Sequence, residues 1–335
     1  VTMKVAALIV FALVATAAAR SMADKKAQFE SFKMTHQRFY GSPAEEEKRF
    51  GIFCDNLAEI DRLNAHDKTA TYGVTQFSDL TLAEFVQDHT GFRNPGTPLA
   101  AALPNAPVTV KSLEAPKAWD WRDHGAVNDV KNQGACGSCW AFSTIGGLEG
   151  QDKLGGHDLP NLSEQELVDC VSECYGCQGG LMHLALDDMA KKHNGEVDTE
   201  SSYPYHARGG SCEADKHDVG IKGISGYTLW CNLFSPDKSK CDEEEMLANC
   251  HKMGPLMIAL NANPLMHYNG GIVNGNYYGH PNHGVAIVGW GTEDGTDFWI
   301  VRNSWGASWG EHGYFRIVRN KGECEMDTYV CAANF

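Results

Sequence analysis

Positive charge is scarce in this 335-residue chain: 28 Lys and Arg stand against 43 Asp and Glu, a formal net charge of −15. That balance argues against binding nucleic acid or an anionic membrane surface. Long apolar runs are scarce as well. One, at residues 5–19, follows Met3-Lys4 and ends Ala17-Ala18-Ala19 before Arg20. It falls short of the ~20 residues that cross a bilayer. Its positive start, short apolar stretch and small-residue end predict a secretory signal peptide over 1–19, with Met3 as the true start. A buried N-terminal helix is the competing reading. No later stretch is long and apolar enough to span, so no membrane span is expected. Internal repeats and low-complexity runs are also lacking, which excludes a repeat architecture.

Cysteine, by contrast, is plentiful. Twelve cysteines follow the signal segment. With an export signal, that number predicts disulfides in an oxidising compartment, lysosomal or extracellular.

A length prior of ~150 residues per domain suggests about two units. Residues 20–110 are charged and helical in pattern. A short helix with aromatics is predicted over 29–39, and Pro43 opens a longer one over 43–64. Glu45-Glu46-Glu47 sit in its first turn, where negative charge suits the dipole. Phe50, Phe53, Leu57, Ile60 and Leu63 share one face at three- and four-residue spacing. Residues 91–107, rich in Pro, Gly, Ala and Asn, read as an exposed, cleavable linker. A second unit then begins near Glu114 or Ala115. To about Tyr227 it reads as mainly helical, with a capping box at Ser163-Glu164-Gln165-Glu166 and a helix over 181–192. The remainder holds short strands at 256–260, 284–290, 297–305 and 314–319. A helical half and a strand-rich half, each small, predict two packed lobes with a site in the cleft between them.

Gln133-Gly134-Ala135-Cys136-Gly137-Ser138-Cys139-Trp140 leads from Gly and Ser into a helix-compatible apolar run. Cys139 would stand at a helix N-terminus, where the dipole favours its thiolate. A thiolate beside an imidazolium is a competent acyl-transfer nucleophile. His283, at the start of an apolar strand, is the candidate base. Asn303, at the end of the next strand, could orient the imidazole without adding charge, and Trp305 could shield that bond from water.

These three segments resemble the active-site signatures of the papain family of cysteine proteases, in the family's order of Cys, His and Asn. The resemblance runs from about Phe29 to the C-terminus. It implies an α+β, two-lobed papain-like fold, with a helical left lobe, a β-barrel-like right lobe and an N-terminal helical prosegment. It implies catalytic roles for Cys139, His283, Asn303 and Gln133, the last supplying an oxyanion donor. Glu45, Arg49, Phe53, Asn56, Ile60 and Asn64 resemble the helix motif of cathepsin L-type propeptides. Gly73, Phe77 and Asp79 resemble a second propeptide motif, with Thr75 in place of the commoner Asn. An inhibitory propeptide over 20–114 and a peptidase over 115–335 follow. The family alignment puts Leu181, Met182, Ala259 and Tyr329 around the pocket for the second side chain before the scissile bond (P2), with Trp305 also substrate-facing. Their apolar character predicts an apolar P2 residue, since a buried unpaired cation is costly. Tyr329 could make the pocket shallow. No loop resembles an exopeptidase obstruction, so an endopeptidase is expected, acting on proteins and peptides, without metal or other cofactor, as a monomer. Acid is expected to loosen the propeptide by protonating carboxylates such as Asp79.

The family's pairing implies bridges Cys136–Cys177 and Cys170–Cys212. Its third bridge has no partner here for Cys324, because no cysteine stands just before His283. Cys231, Cys241 and Cys250 gather around an insertion at 230–245, and with Cys174, Cys324 and Cys331 they are expected to form at least one non-standard bridge of unassigned pairing. Cys54 would remain free. Cys136-x-x-Cys139 with Cys174-x-x-Cys177 could instead hold zinc, or the first pair could be a redox couple. The export signal and the lack of a βαβ pattern weigh against both. A catalytically silent binding protein on the same fold is a further alternative, against which every catalytic residue type is present. His183, His193, His251 and His267 are expected to be surface or structural. Asn161-Leu162-Ser163 is a glycosylation sequon. Glu243-Glu244-Glu245 reads as a solvated helix start.

Overall fold

The structure, a computed structural model, describes residues 20–94, 115–234 and 240–335. The signal segment, most of the 91–107 linker, Glu114 and the centre of the 230–245 insertion lie outside the described residues.

The N-terminal arm contains helices α1 (Met22–Thr35) and α2 (Pro43–His66), strand β1 (Ala70–Tyr72) and helix α3 (Leu82–His89). α1 begins earlier than the aromatic pattern predicts, because Ser21 and Asp24 form a capping box. It stops before Phe39, where Gln37 takes a positive φ of 50°. α2 starts at Ser42 as N-cap with Pro43 in its first turn. Its predicted apolar face buries Phe53, Leu57, Ile60 and Leu63, while Phe50 is only half-buried. The propeptide-like polar positions tie the rest of the arm to this helix. The Asn56 Nδ2 donates to the carbonyls of Ser78 and Leu80, and Asn64 Nδ2 donates to that of Tyr72. Arg49 reaches both carboxylate oxygens of Glu84 at 2.9 and 3.0 Å, and Glu45 at 2.7 Å.

Beyond the linker come β2 (Trp119–Asp120), α4 (Cys139–Leu154), α5 (Glu164–Cys170), α6 (Met182–Lys192), β3 (Val197–Asp198), β4 (Val219–Ile221), β5 (Gly226–Asn232) and α7 (Glu243–Met253). The strands β6 (Leu256–Leu260), β7 (Tyr268–Val273), β8 (His283–Glu293), β9 (Thr296–Arg302), β10 (Tyr314–Val318) and β11 (Tyr329–Asn334) follow. The main sheet is mixed, in the order β1-β7-β10-β9-β8-β6-β11-β5, with β2 on β8. The arm thus adds its own strand to one edge: β1 pairs antiparallel with β7.

Two cores result. One joins the aromatic interior of the arm to the strand-rich lobe, around Trp290, Trp299, Trp305 and Phe315. The other packs α4, α5 and α6 together with Leu229, Met257, Ala259 and Tyr329. α4 is the central helix. Gly147 lets it lie against the sheet, since a Cβ there would come within 2.4 Å of Met257. A buried ion pair, Arg302 to Glu149 at 3.3 Å, ties β9 to α4 across the lobes.

Two local expectations need correction. Ser163 caps α5 by accepting the Glu166 N–H, but Glu166 does not reach back. Its carboxylate instead accepts the Asp198 N–H at 2.6 Å, so the capping box is half-formed. Glu243 is not solvated. It is buried, and its carboxylate accepts Trp299 Nε1 and the amides of Lys321 and Gly322. A helix-start charge becomes a structural clamp where the neighbouring loop brings orphan donors.

The bridges in the structure are Cys136–Cys177, Cys170–Cys212 and Cys231–Cys241. Cys174, Cys250, Cys324 and Cys331 are buried thiols, and Cys54 is free. Where the family's third bridge would reach from Cys324, the neighbouring Glu323 carboxylate accepts the amides of Asn276 and Tyr277 at 2.9 and 2.6 Å. No helix among the described residues is long and apolar enough to cross a membrane. Asn161 of the sequon is exposed, while Ser163 is buried.

Candidate active site

The β8–β9 hairpin sets the site. Its two-residue turn is Asp294-Gly295, both at positive φ, which suits the twist of paired strands. The register opposes Ala286 to Arg302. His283 at the start of β8 and Asn303 just past the end of β9 therefore emerge at the same sheet end. Their side chains meet, with His283 Nε2 2.8 Å from Asn303 Oδ1. That oxygen also accepts the Ser304 N–H at 2.8 Å, which identifies it as the acceptor. Nε2 therefore carries the proton, and Nδ1 is the basic nitrogen. The Trp305 ring stacks on the imidazole at 4.6 Å.

Cys139 opens α4 after Ser138, whose hydroxyl bonds Tyr205 rather than capping the helix. The Gly284 N–H, next to His283, donates to Cys139 Sγ at 3.3 Å. Gln133 joins the site through the strand-like pairing of Asn132 with Trp305. Its Nε2 donates to the Cys136 carbonyl, and its Oε1 accepts the Ser304 hydroxyl at 2.7 Å. Cys139, His283, Asn303, Gln133 and Trp305 are thus brought into one buried cluster. Ser304 is the member that sequence reasoning missed, although it stands within the Asn303 motif itself. His183, His193, His251 and His267 make no hydrogen bond to Cys139 among the described residues.

The arm lies across this cluster. The His89 carbonyl accepts Trp305 Nε1, and the His89 ring bonds the Gly134 carbonyl at 3.0 Å. The Gly91 and Phe92 N–H groups both donate to the Asn282 carbonyl. The Gly180 N–H donates to the Gly91 carbonyl, and Arg93 N–H to Gly180, forming a bridge between Phe92 and Gly180. A side chain at Gly91 would place its Cβ 1.9 Å from the Gly137 carbonyl oxygen, so only glycine passes there. Phe77 and Phe85 meet Trp305 edge-on.

Burial under the arm governs the charges. It pushes the Cys139 thiol up to about 12, against the lowering effect of the Gly284, Gly91 and Trp140 amides. Burial pushes His283 down to about 4, although the Asn303 bond acts the other way. The sequence predicts a thiolate beside an imidazolium. With the arm in place, burial instead disfavours the charged form of each group.

Leu181, Met182, Ala259 and Tyr329 are fully buried and form one apolar cluster with Phe92 of the arm. The Phe92 ring meets Tyr329 edge-on at 4.8 Å. The Tyr329 hydroxyl is turned to His183, 2.6 Å from Nδ1 and 3.1 Å from its N–H.

A family model described as papain family cysteine protease matches residues 115–334, and one described as cathepsin propeptide inhibitor domain matches 29–85. The chain is similar to cysteine proteinase B of Leishmania mexicana, at 39% identity over 316 residues, 92% of this chain and 69% of that one. It is similar to a probable cysteine protease of Arabidopsis thaliana, at 38% identity over 320 residues, 90% of this chain and 85% of that one. Among solved structures, digestive procathepsin L 3 of Tenebrio molitor larval midgut superposes with a TM-score of 0.78 at 34% identity, over 94% of this chain and 100% of that one. The recombinant stem bromelain precursor gives a TM-score of 0.80 at 32% identity, over 93% and 99%.

Proposed function

Because this chain belongs to the papain family of cysteine proteases and carries a cathepsin-type inhibitory propeptide domain, we propose that it is the zymogen of an endopeptidase that cuts through an acyl-enzyme on Cys139. The observation that carries this reading is the chain of contacts from Asn303 Oδ1 through His283 to the strand start whose amide holds Cys139 Sγ. Once the arm leaves, His283 Nδ1 takes the thiol proton. The thiolate attacks the scissile carbonyl, and a C–S bond forms. His283 returns the proton to the amide nitrogen as the C–N bond breaks. It then deprotonates a water that releases the acyl group and restores the thiol. Asn303 keeps the ring in the Nε2–H tautomer. Gln133 and the Cys139 N–H would hold the oxyanion. The roles need no metal or organic cofactor.

The propeptide is assigned to 20–114 and the peptidase to 115–335. Leu181, Met182, Ala259 and Tyr329 would receive an apolar P2 side chain, a reading supported by Phe92 lying among them. The secretory pathway, ending in a lysosome or outside the cell, and a monomeric enzyme complete the proposal.

The test is mass spectrometry of the processed protein after a peptidyl epoxide, beside a Cys139→Ala control and a peptide-hydrolysis assay. A single adduct on Cys139 with loss of hydrolysis is expected. Cys139 unlabelled and found in a disulfide would overturn the proposal.

A further inference from the structure

Phe92 has a second aromatic neighbour that does not come from the four pocket residues named above. The Phe234 ring stacks on it, with centroids 5.8 Å apart and planes at 25°. Phe234 and Leu233 belong to the 230–245 insertion, and both pack half-buried against the apolar cluster that holds Phe92 and Tyr329.

The insertion is anchored beside the pocket at both ends. At its start, β5 pairs with β11 so that Asn232 stands opposite Tyr329 and Cys231 opposite Val330. The Asn232 side chain accepts the Phe234 N–H at 3.0 Å, which turns the chain toward the cleft. At its far end, the Cys241 N–H donates to the Asp327 carbonyl at 2.7 Å. Lys240 pairs with Glu325 at 3.1 Å and Asp327 at 3.2 Å. The Cys231–Cys241 bridge closes the loop across these two anchors. The contacts that leave the insertion thus land on the strand that carries Tyr329 or the turn just before it. Residues 231–234 are thereby held beside that strand, with the Phe234 ring against Phe92.

We propose that Phe234, held by the Cys231–Cys241 loop, is a specificity-determining wall of the P2 pocket that selects an aromatic side chain over a β-branched aliphatic one. The inference rests on the reading of that pocket given above. Phe92 shows the arrangement such a side chain would take: edge-on to Tyr329 on one side and stacked by Phe234 on the other. A flat ring fills the space between two rings, and offset aromatic pairs gain attraction beyond the area they bury. A Val side chain at P2 would touch one wall and leave the other unmet.

The experiment compares kcat/KM for two peptide substrates that differ only at P2, Phe against Val, with the processed wild-type enzyme and with Phe234→Ala and Phe234→Leu. Enzyme concentrations are set by titration with a thiol-directed peptidyl epoxide, so misfolded protein is not counted. The Phe-to-Val ratio is expected to fall by about three- to tenfold in both variants, the range that aromatic pairing supports. An unchanged ratio in Phe234→Leu, which keeps the apolar bulk and loses only the ring, overturns the proposal. The wild-type profile separates the two readings. If Arg at P2 outcompetes Phe and Val in the wild type, the apolar pocket itself is wrong. If the apolar preference holds but the ratio does not respond to Phe234, only this inference fails.

Discussion

Gln133 is held from both ends of its amide, by the Ser304 hydroxyl on Oε1 and the Cys136 carbonyl on Nε2. An oxyanion donor works only if its direction is fixed before the reaction. Gln133→Ala is therefore expected to lower kcat by about two orders of magnitude. Ser304→Ala removes one neutral hydrogen bond, worth ~1 kcal/mol, and should lower kcat about fivefold. If Ser304 acts through Gln133, the double variant will be no slower than Gln133→Ala alone, since coupled residues do not add. Multiplying effects in steady-state kinetics would show that Ser304 acts by another route. Asn303 has a different task. Its oxygen is committed to both His283 Nε2 and the Ser304 N–H, so it selects the tautomer. Asn303→Ala should depress kcat while leaving KM within about twofold, because no substrate contact is lost.

At the level of elements, inhibition depends on how closely an extended segment can approach a helix start. Gly91 lets the arm lie against Gly137, two residues before Cys139. Gly91→Ala should lift the arm from the cleft and leave α1–α3 folded, because those helices are held by Arg49, Asn56 and Asn64. The zymogen's Cys139 would then react with a thiol probe at least about tenfold faster, equivalent to ~1.4 kcal/mol of lost docking. Labelling at the wild-type rate would show that docking tolerates a Cβ. The same elements show what could be read from the sequence. α2 was legible from its apolar periodicity, and α4, α6 and the strands β6, β8, β9 and β10 from local composition and short apolar runs bounded by turn residues. Cys139, His283, Asn303 and Gln133, which the structure brings together, could be singled out because each lies within a short motif. The insertion of β1 into the sheet edge was not legible, because a three-residue strand carries no periodicity. The burial of Glu243 was hidden for a related reason: its donors, Trp299, Lys321 and Gly322, are far away in sequence. The upward push on the Cys139 thiol and the downward push on His283 were also hidden, because burial is a tertiary property.

Considered as a whole, the molecule sets imidazoles against a carboxylate clasp, and the two answer acid at different pH. His89 is held below its ordinary pKa mainly by burial, which outweighs the Gly134 carbonyl and the charge of Asp88. Arg38 adds to the lowering, Asp79 opposes it, and the Phe77 and Phe85 rings pack on the imidazole. His283, beneath the arm, is pushed down to about 4 by the same burial. A group whose docked pKa is lowered binds its proton more tightly after release. The docking contribution of both imidazoles is therefore complete above about 6.5 and is lost as pH falls below it, for His283 toward about 4. Each unit of lowering shifts the docking equilibrium by about tenfold once the pH lies below the lowered value. Glu84 behaves otherwise. Burial would raise it, but the bonds from Arg49 and Thr81 prevail and hold it down to about 2. Its clasp on Arg49 is lost only as pH falls from the ordinary carboxylate range toward 2. Mild acid should therefore undock the 89–93 segment while the helical part of the arm remains folded. In the full-length Cys139→Ala protein, the Gly91 and Phe92 amides should lose hydrogen-exchange protection between pH 7 and 4.5, after correction for the intrinsic pH dependence of exchange. Amides of α2 should stay protected over the same range. His89→Gln should flatten the response of the first group, because one of the two imidazoles is gone. Protection at Gly91 and Phe92 that is unchanged at pH 4.5, or lost only together with that of α2, would rule out undocking by the imidazoles and return the acid response to carboxylates such as Asp79.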